Sequence, residues 1–216
     1  MPRSNPSKRK YDSTLRQTQA GETRRQILGA AHKLFIERGY AGATIDAIAK
    51  EAGVALKTVY AGFENKRKIL LTLLNVSSSN SGEENIPILE RTGPKAVSQE
   101  RDQRRQLQMF AQVIANNLEG AASIAEIMNV AAKTEADVDK MVQNLNKQRW
   151  QHMAFAVRQI ISNGLLREKM DEAYATDTVW TLTSPEVFLL LTRDQGWSKE
   201  KYAEWLADSL IRTLLP

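Results

Sequence analysis

The side chains best suited to chemistry gather in and just beyond ATIDAIAKEAGVALKTVYAGF, residues 43–63: Thr44, Lys57, Thr58, Tyr60 and, a little further on, Lys66. Hydroxyl and ammonium groups without a paired nucleophile and base suit binding rather than catalysis. Thr44 is a good N-cap type and Asp46 suits the positive end of a helix dipole, so the pattern predicts a helix from about Ile45 to Ala52. Gly53 then ends it, because glycine can take the left-handed conformation that turns the chain sharply. Ile45, Ile48, Ala49 and Ala52 share one apolar stripe, and Val54 and Val59 can close over it. A second helix, about Leu56 to Ala61, presents a small polar face whose N-terminal end can enter a major groove, where a lysine can donate to guanine O6 or N7. An ordinary helical hairpin in a bundle is the other reading of the same pattern.

The flanks supply what would hold such a pair in place. Upstream, TRRQILGAAHKLFIERGY puts Ile27, Ala31, Leu34 and Phe35 on one face of a helix that Gly39 terminates, the third wall of a small three-helix core. Downstream, FENKRKILLTLL opens a helix after Asn65 with Lys66, Arg67 and Lys68 in its first turn. Cations there oppose the helix dipole by a few tenths of a kcal/mol each, so local energetics do not explain them. An anionic partner or a solvated basic face would.

Together the residues RRQILGAAHKLFIERGYAGATIDAIAKEAGVALKTVYAGFENKRKIL resemble the tetracycline-repressor (TetR) family of bacterial regulators, over about Gly21 to Leu74. The carrying features occur in order and without gaps: G-Y after the first helix, T-x-x-x-I-A-x-x-A-G-V, T-V-Y of the second short helix, and F-x-N-K after it. The resemblance implies that Thr44, Thr58, Tyr60 and Lys66 approach DNA phosphates and that Leu56 and Lys57 face base edges. Two positions depart from the family pattern. Ala55 stands where Ser or Thr often caps, and Ala is the weaker N-cap by about 1 kcal/mol. Gly62 stands where a ring often contacts phosphate.

Charge follows the motif. Residues 1–70 hold 14 Lys and Arg against 6 Asp and Glu, whereas residues 71–216 hold 16 against 19. A basic module joined to a slightly acidic remainder suits phosphate binding by the first part and another task for the second. Residues 1–20, basic and poor in apolar side chains, read as a disordered arm, either a solubilising tail or a segment that follows DNA.

Length allows two small domains in 216 residues: a helix-turn-helix module over 21–74 and a helical domain over 75–216. With no apolar run of transmembrane length and no signal-peptide pattern, the expectation is a soluble bacterial cytoplasmic protein with no membrane partner. Zero cysteines exclude thiol chemistry and disulfides. His32 and His152 are the only histidines and form no evident ligand set, so no metal and no cofactor is expected. GxSxG, GxGxxG and P-loop motifs are absent.

Beyond Leu74 the pattern is all-α, with about nine helices in the whole chain. A loop is expected over 76–95, then helices near 96–118, 121–132, 135–163, 171–193 and 198–214, punctuated by Gly120, Gly164 and Gly196, with Pro185 able to kink or split the penultimate one. Met109, Phe110, Val113, Met128, Met141, Trp150 and Met153 belong to apolar sets at helical spacing. Such sets form core, or an adaptable wall around a ligand. The family resemblance implies a small-molecule pocket here.

Near the end, Val187, Leu190 and Leu191 lie on one stripe and Tyr202, Trp205, Leu206 and Leu210 on another. These stripes close a monomeric core or, as the resemblance implies, form a four-helix homodimer interface. Dimerisation fits DNA geometry, since a two-fold dimer doubles the site read by one helix. The combined expectation is a homodimeric regulator with no catalytic activity. It binds a palindromic double-stranded operator, most simply as a repressor released by an unidentified small-molecule effector. An activator or ligand-independent regulator, a helical enzyme with an attached DNA-binding module, and a nonspecific DNA-packing protein are the alternatives.

Overall fold

The computed structural model describes residues 6–79 and 82–216, with side chains from residue 18 onward. The fold class is all-α as expected, with no strand among the described residues. The chain divides into two compact units, residues 1–73 and 74–216.

In the first unit, α1 (Pro6–Gly42) buries Ile27, Ala31, Leu34 and Phe35, the side chains of the predicted stripe. Gly39 breaks its regular geometry at φ 66, a left-handed value that favours glycine, as its position in the sequence suggested. The disordered arm expected over residues 1–20 needs correction: the backbone is helical from Pro6 onward, while residues 1–5 lie outside the described residues. Once a helix is nucleated downstream, each added residue brings one backbone hydrogen bond, so extension into a polar stretch is far less costly than starting a helix there.

Next comes α2 (Ile45–Glu51). Thr44 Oγ1 accepts from the Ala47 N–H at 3.1 Å, the N-cap bond expected of a threonine there. At the other end Gly53 has φ 66, Val54 N–H donates to the Ala49 carbonyl at 3.0 Å and Gly53 N–H to Lys50 at 3.2 Å. This is a Schellman closure, which satisfies the last carbonyls and reverses the chain in few residues. It delivers α3 (Leu56–Phe63), whose Val59 and Phe63 are buried against the same core as Ile48 and Ala49. Asn65 Oδ1 then accepts from Lys68 N–H at 2.9 Å and opens α4 (Lys66–Ser77), which buries Ile69, Leu70 and Leu73.

The second unit contains α5 (Thr92–Gln99), α6 (Gln103–Ala132), α7 (Ala136–Asn163), α8 (Glu172–Leu182), α9 (Pro185–Leu189) and α10 (Lys199–Leu214). Helix α6 packs against α7, α9 and α10, and α7 against α8. Leu107, Ala111 and Ala115 of α6 meet Tyr202, Leu206 and Leu210 of α10 in one buried cluster, with Val157 and Ile160 from α7. Phe188 and Tyr202 contact edge to face at 4.8 Å.

Two expectations for this unit differ in detail, and a third is resolved. Gly120 does not separate two helices, because α6 runs through it. A Cβ at that position would collide with the Ser77 carbonyl oxygen, so the glycine serves close packing instead of a turn. The helix expected over 171–193 is split at Pro185, one of the two outcomes the proline allowed. Ser184 caps α9 through its bond from Val187 N–H at 3.3 Å, with Pro185 at the first turn, and a π-helical turn follows over Leu190–Asp194. The loop expected over 76–95 includes a 3₁₀ turn at Ile88–Glu90 and yields to α5 at Thr92. It is organised by buried Arg91, which donates to the Ile86 and Ser78 carbonyls, each at 3.1 Å, and to Asn75 Oδ1 at 2.7 Å.

Candidate nucleic-acid interface and apolar cavity

Helix α3 divides its residues sharply. Val59 and Phe63 face the core, which leaves Leu56, Lys57 and Tyr60 on the outside, Leu56 40% and Tyr60 49% exposed. Thr58 is half-buried and Thr44 is exposed, though the latter's hydroxyl already caps α2. An apolar Leu and a phenol side by side with a lysine, on a helix whose other face is fully packed, suit contact with a large polar partner. Ala55 makes no side-chain cap, as its type implied, so no side chain covers the first amides of α3.

Cations brace this unit from within. Arg24 donates from Nη1 to the Gly62 carbonyl at 3.1 Å and lies 4.3 Å over the Phe63 ring, a positive group near the C-terminal end of α3 where the helix dipole favours it. Arg24 was not singled out in the sequence, because its partner lies 38 residues away. Lys66, expected to approach phosphate, sends Nζ to the Tyr40 carbonyl at 2.7 Å and stacks 4.0 Å over the Tyr40 ring. Its place in a helix's first turn thus has an intramolecular cause that the dipole argument missed. Lys33 and Glu51 pair at 2.6 Å between α1 and α2, which raises the lysine and lowers the carboxyl from their ordinary ranges. Both are exposed.

The second unit holds a cavity of about 530 Å³, within the roughly 300–1,000 Å³ common for small-molecule sites. Phe110, Val113, Met128 and Met153, four of the expected ligand residues, line it. The other three stand elsewhere. Met109 packs on the core, Met141 does not reach the cavity wall, and Trp150 is exposed with its indole N–H donating to Asp177 at 2.8 Å. Helical spacing identified the apolar faces but not which part of a face opens onto a void. Leu118, Leu145, Phe155 and Trp180 complete much of the apolar wall, and Arg149 and His152 of α7 also line it. Burial pushes the Arg149 guanidinium down to about 10 and lowers His152 from its ordinary value. Among the described residues no cluster of His, Asp or Glu could hold a metal ion.

The expected dimer residues also divide. Tyr202, Leu206 and Leu210 have no accessible surface in the single chain and fill its core, so they leave the interface set. An amphipathic stripe says which face is covered, not whether the cover is the same chain. Leu190, 53% exposed, and the partly exposed Val187, Leu191 and Trp205 remain on the outer side. Trp205 packs edge to face on Trp197 at 6.2 Å.

Residues 27–73 match the family model for bacterial regulatory proteins of the tetR family. That segment is similar to the tetR family's regulatory proteins and makes up less than a quarter of the chain. The tetR-family match takes in α2, α3 and most of the core that supports them. The chain is 39% identical over 70 residues to YvkB of Bacillus subtilis, an uncharacterised HTH-type transcriptional regulator; the match covers 32% of this chain and 35% of YvkB. The curated relatives are thus spanned over only about a quarter to two fifths of their length. Among solved structures, NalD of Pseudomonas aeruginosa, the secondary repressor of the MexAB-OprM multidrug efflux pump, shares 22% identity at a TM-score of 0.67, covering 90% of this chain and 97% of NalD. A regulator from Saccharomonospora viridis in complex with choline shares 21% at a TM-score of 0.67, covering 91% and 99%. These likenesses show a shared all-α fold over most of the chain. No helix among the described residues is long and apolar enough to cross a membrane.

Proposed function

We propose that the protein is a sequence-specific DNA-binding transcriptional regulator that acts as a homodimer on a palindromic operator. In this reading it is a repressor, released by a small molecule bound in the second unit, and it has no catalytic role. The observation that carries the proposal is α3. A helix that follows the Schellman turn of α2 and is anchored through Val59 and Phe63 presents Leu56, Lys57 and Tyr60 outward, in a segment that matches the tetR family model. Lys57 reads a base edge, Leu56 contacts base or sugar carbon, and Tyr60, Thr58, Thr44 and Lys66 address the phosphates.

The cavity supports the effector half of the proposal, as does a fold neighbour that holds choline. Its ligand acts by differential affinity, favouring a DNA-incompetent state over a competent one. Leu190, Leu191, Val187 and Trp205 supply apolar surface for the dimer, which places the protein on two half-sites.

Selection of random duplexes by the purified protein tests the proposal. Recovery of a two-fold symmetric consensus supports it, and a recovered pool with no shared sequence would place the protein among nonspecific DNA binders.

A further inference from the structure

The cavity wall is mostly apolar, yet two charged side chains, Arg149 and Glu186, line it, and no salt bridge joins them. Arg149 projects from α7, lines the cavity and holds position by donating from Nη1 to the Trp180 carbonyl at 2.8 Å and to Thr183 Oγ1 at 3.3 Å. Its guanidinium carbon lies 4.4 Å from the centroid of the Trp180 ring. These contacts use the Nη1 hydrogens. Among the described residues the Nε and Nη2 hydrogens have no acceptor and no carboxylate pairs with the group. Glu186, which also lines the cavity, acts on the guanidinium through space, but it is exposed and its carboxylate accepts from Asn129 Nδ2 at 2.7 Å. Next to Arg149, Trp180 also lines the cavity, and its buried Nε1 has no acceptor among the described residues.

A half-buried guanidinium with unused donors and a buried indole N–H without an acceptor are each costly, and a single anionic group can satisfy several donors at once. Guanidinium nitrogens in a planar fork match a carboxylate in two parallel hydrogen bonds. Much of the remaining wall, from Phe110, Val113, Leu118, Met128, Leu145 and Met153, is apolar, with side chains such as Asn117, His152 and Gln159 interspersed.

The geometry points to an anionic amphiphile as the ligand of this cavity, with its carboxylate held by Arg149 and its hydrocarbon body among the apolar side chains. This rests on the reading of the cavity as an effector site. A cationic ligand would set its charge against Arg149 in a low-dielectric surrounding and leave the free N–H groups unmet.

Three probes of one chain length separate the possibilities: decanoate, 1-decanol and decylammonium, each titrated calorimetrically into the full chain at neutral pH. Decanoate is expected to bind at least about tenfold more tightly than either of the others, the equivalent of ~1.4 kcal/mol. Arg149→Met is expected to remove that margin of decanoate over 1-decanol, and Arg149→Lys to retain part of it, since the charge stays but the fork is lost. The wild-type ranking needs no variant, so it decides the matter even if Arg149→Met fails to fold. Tighter binding of decylammonium, equal binding of all three, no binding of any, or an unchanged margin in a folded Arg149→Met overturns the inference. DNA is absent from the titration, so the two readings fail separately. A chain that prefers decanoate but selects no operator defeats the regulator reading alone, and one that selects an operator but prefers decylammonium defeats this inference alone.

Discussion

Lys66 Nζ donates to the carbonyl of Tyr40 at 2.7 Å while lying 4.0 Å over the Tyr40 ring, which ties the start of α4 to the end of α1. One side chain thus braces the first unit while remaining half-exposed. Lys66→Met keeps the aliphatic stem but removes the charge and the donor. It is expected to destabilise the unit by about 1 kcal/mol, from the lost hydrogen bond and cation–π contact. Since an ammonium has three donors, a phosphate is an additional acceptor, and the slope of log affinity against log salt should fall by about one per protomer. Chemical denaturation and salt-dependent anisotropy titrations check the two parts separately. An unchanged salt slope with lowered stability would make Lys66 a brace alone.

Tyr60 should behave differently. Its ring is half-exposed on the outer face of α3, so Tyr60→Phe is expected to leave the denaturation midpoint unchanged while weakening DNA binding across specific and nonspecific duplexes alike. Unaltered affinity for both duplexes would remove the hydroxyl from the phosphate contacts.

Lys57 is exposed in the first turn of α3 and is expected to act on sequence preference. Lys57→Ala should relax discrimination at one base pair per half-site by roughly 1–3 kcal/mol. A panel of single-base operator variants measures this. Uniform loss over the panel would reassign Lys57 to phosphate.

The last helices separate assembly from folding. Leu206 has no accessible surface, so Leu206→Glu buries an unpaired charge and should unfold the second unit, at a cost of several kcal/mol. Leu190 is exposed, and Leu190→Glu should leave helicity and thermal midpoint of the single chain intact while shifting sedimentation toward monomer. A Leu190→Glu protein that sediments as wild type would place the dimer elsewhere.

His152 gives a pH dependence whose sign is fixed. Burial lowers its folded value below the ordinary ~6.5, so the unfolded chain binds the proton more readily. Stability from this group is full above pH ~6.5 and falls as pH drops from there toward the depressed value. Denaturation midpoints of wild type and His152→Gln should therefore converge on acidification through that window. Parallel pH profiles would mean that His152 does not contribute.

The first unit was legible in sequence because its determinants are local. Thr44, Gly53 and Asn65 cap or close helices within a few residues of themselves, and the stripe through Ile27 and Leu34 repeats at helical period. What escaped depends on contacts distant in the chain. Gly120 looks like punctuation until the Ser77 carbonyl is seen beside it. Arg24, Arg91 and Arg149 look like solvated charges until carbonyls 38, 13 and 31 residues away accept from them. The stripe of Tyr202, Leu206 and Leu210 was visible, but periodicity does not distinguish burial by α6 from burial by a second copy. For the cavity, Phe110, Val113, Met128 and Met153 were found because they are apolar at the right spacing, whereas Arg149 and Trp180 are recognisable only once α7 and α8 are packed.

The most direct test of the central claim is a titration of the full chain with a selected palindromic duplex, its half-site and a scrambled duplex at fixed salt. Sequence reading by paired α3 helices predicts two protomers on the palindrome, with affinity at least about 10³-fold above that for the scrambled duplex and a large loss on the half-site. Equal affinity for all three duplexes would contradict it.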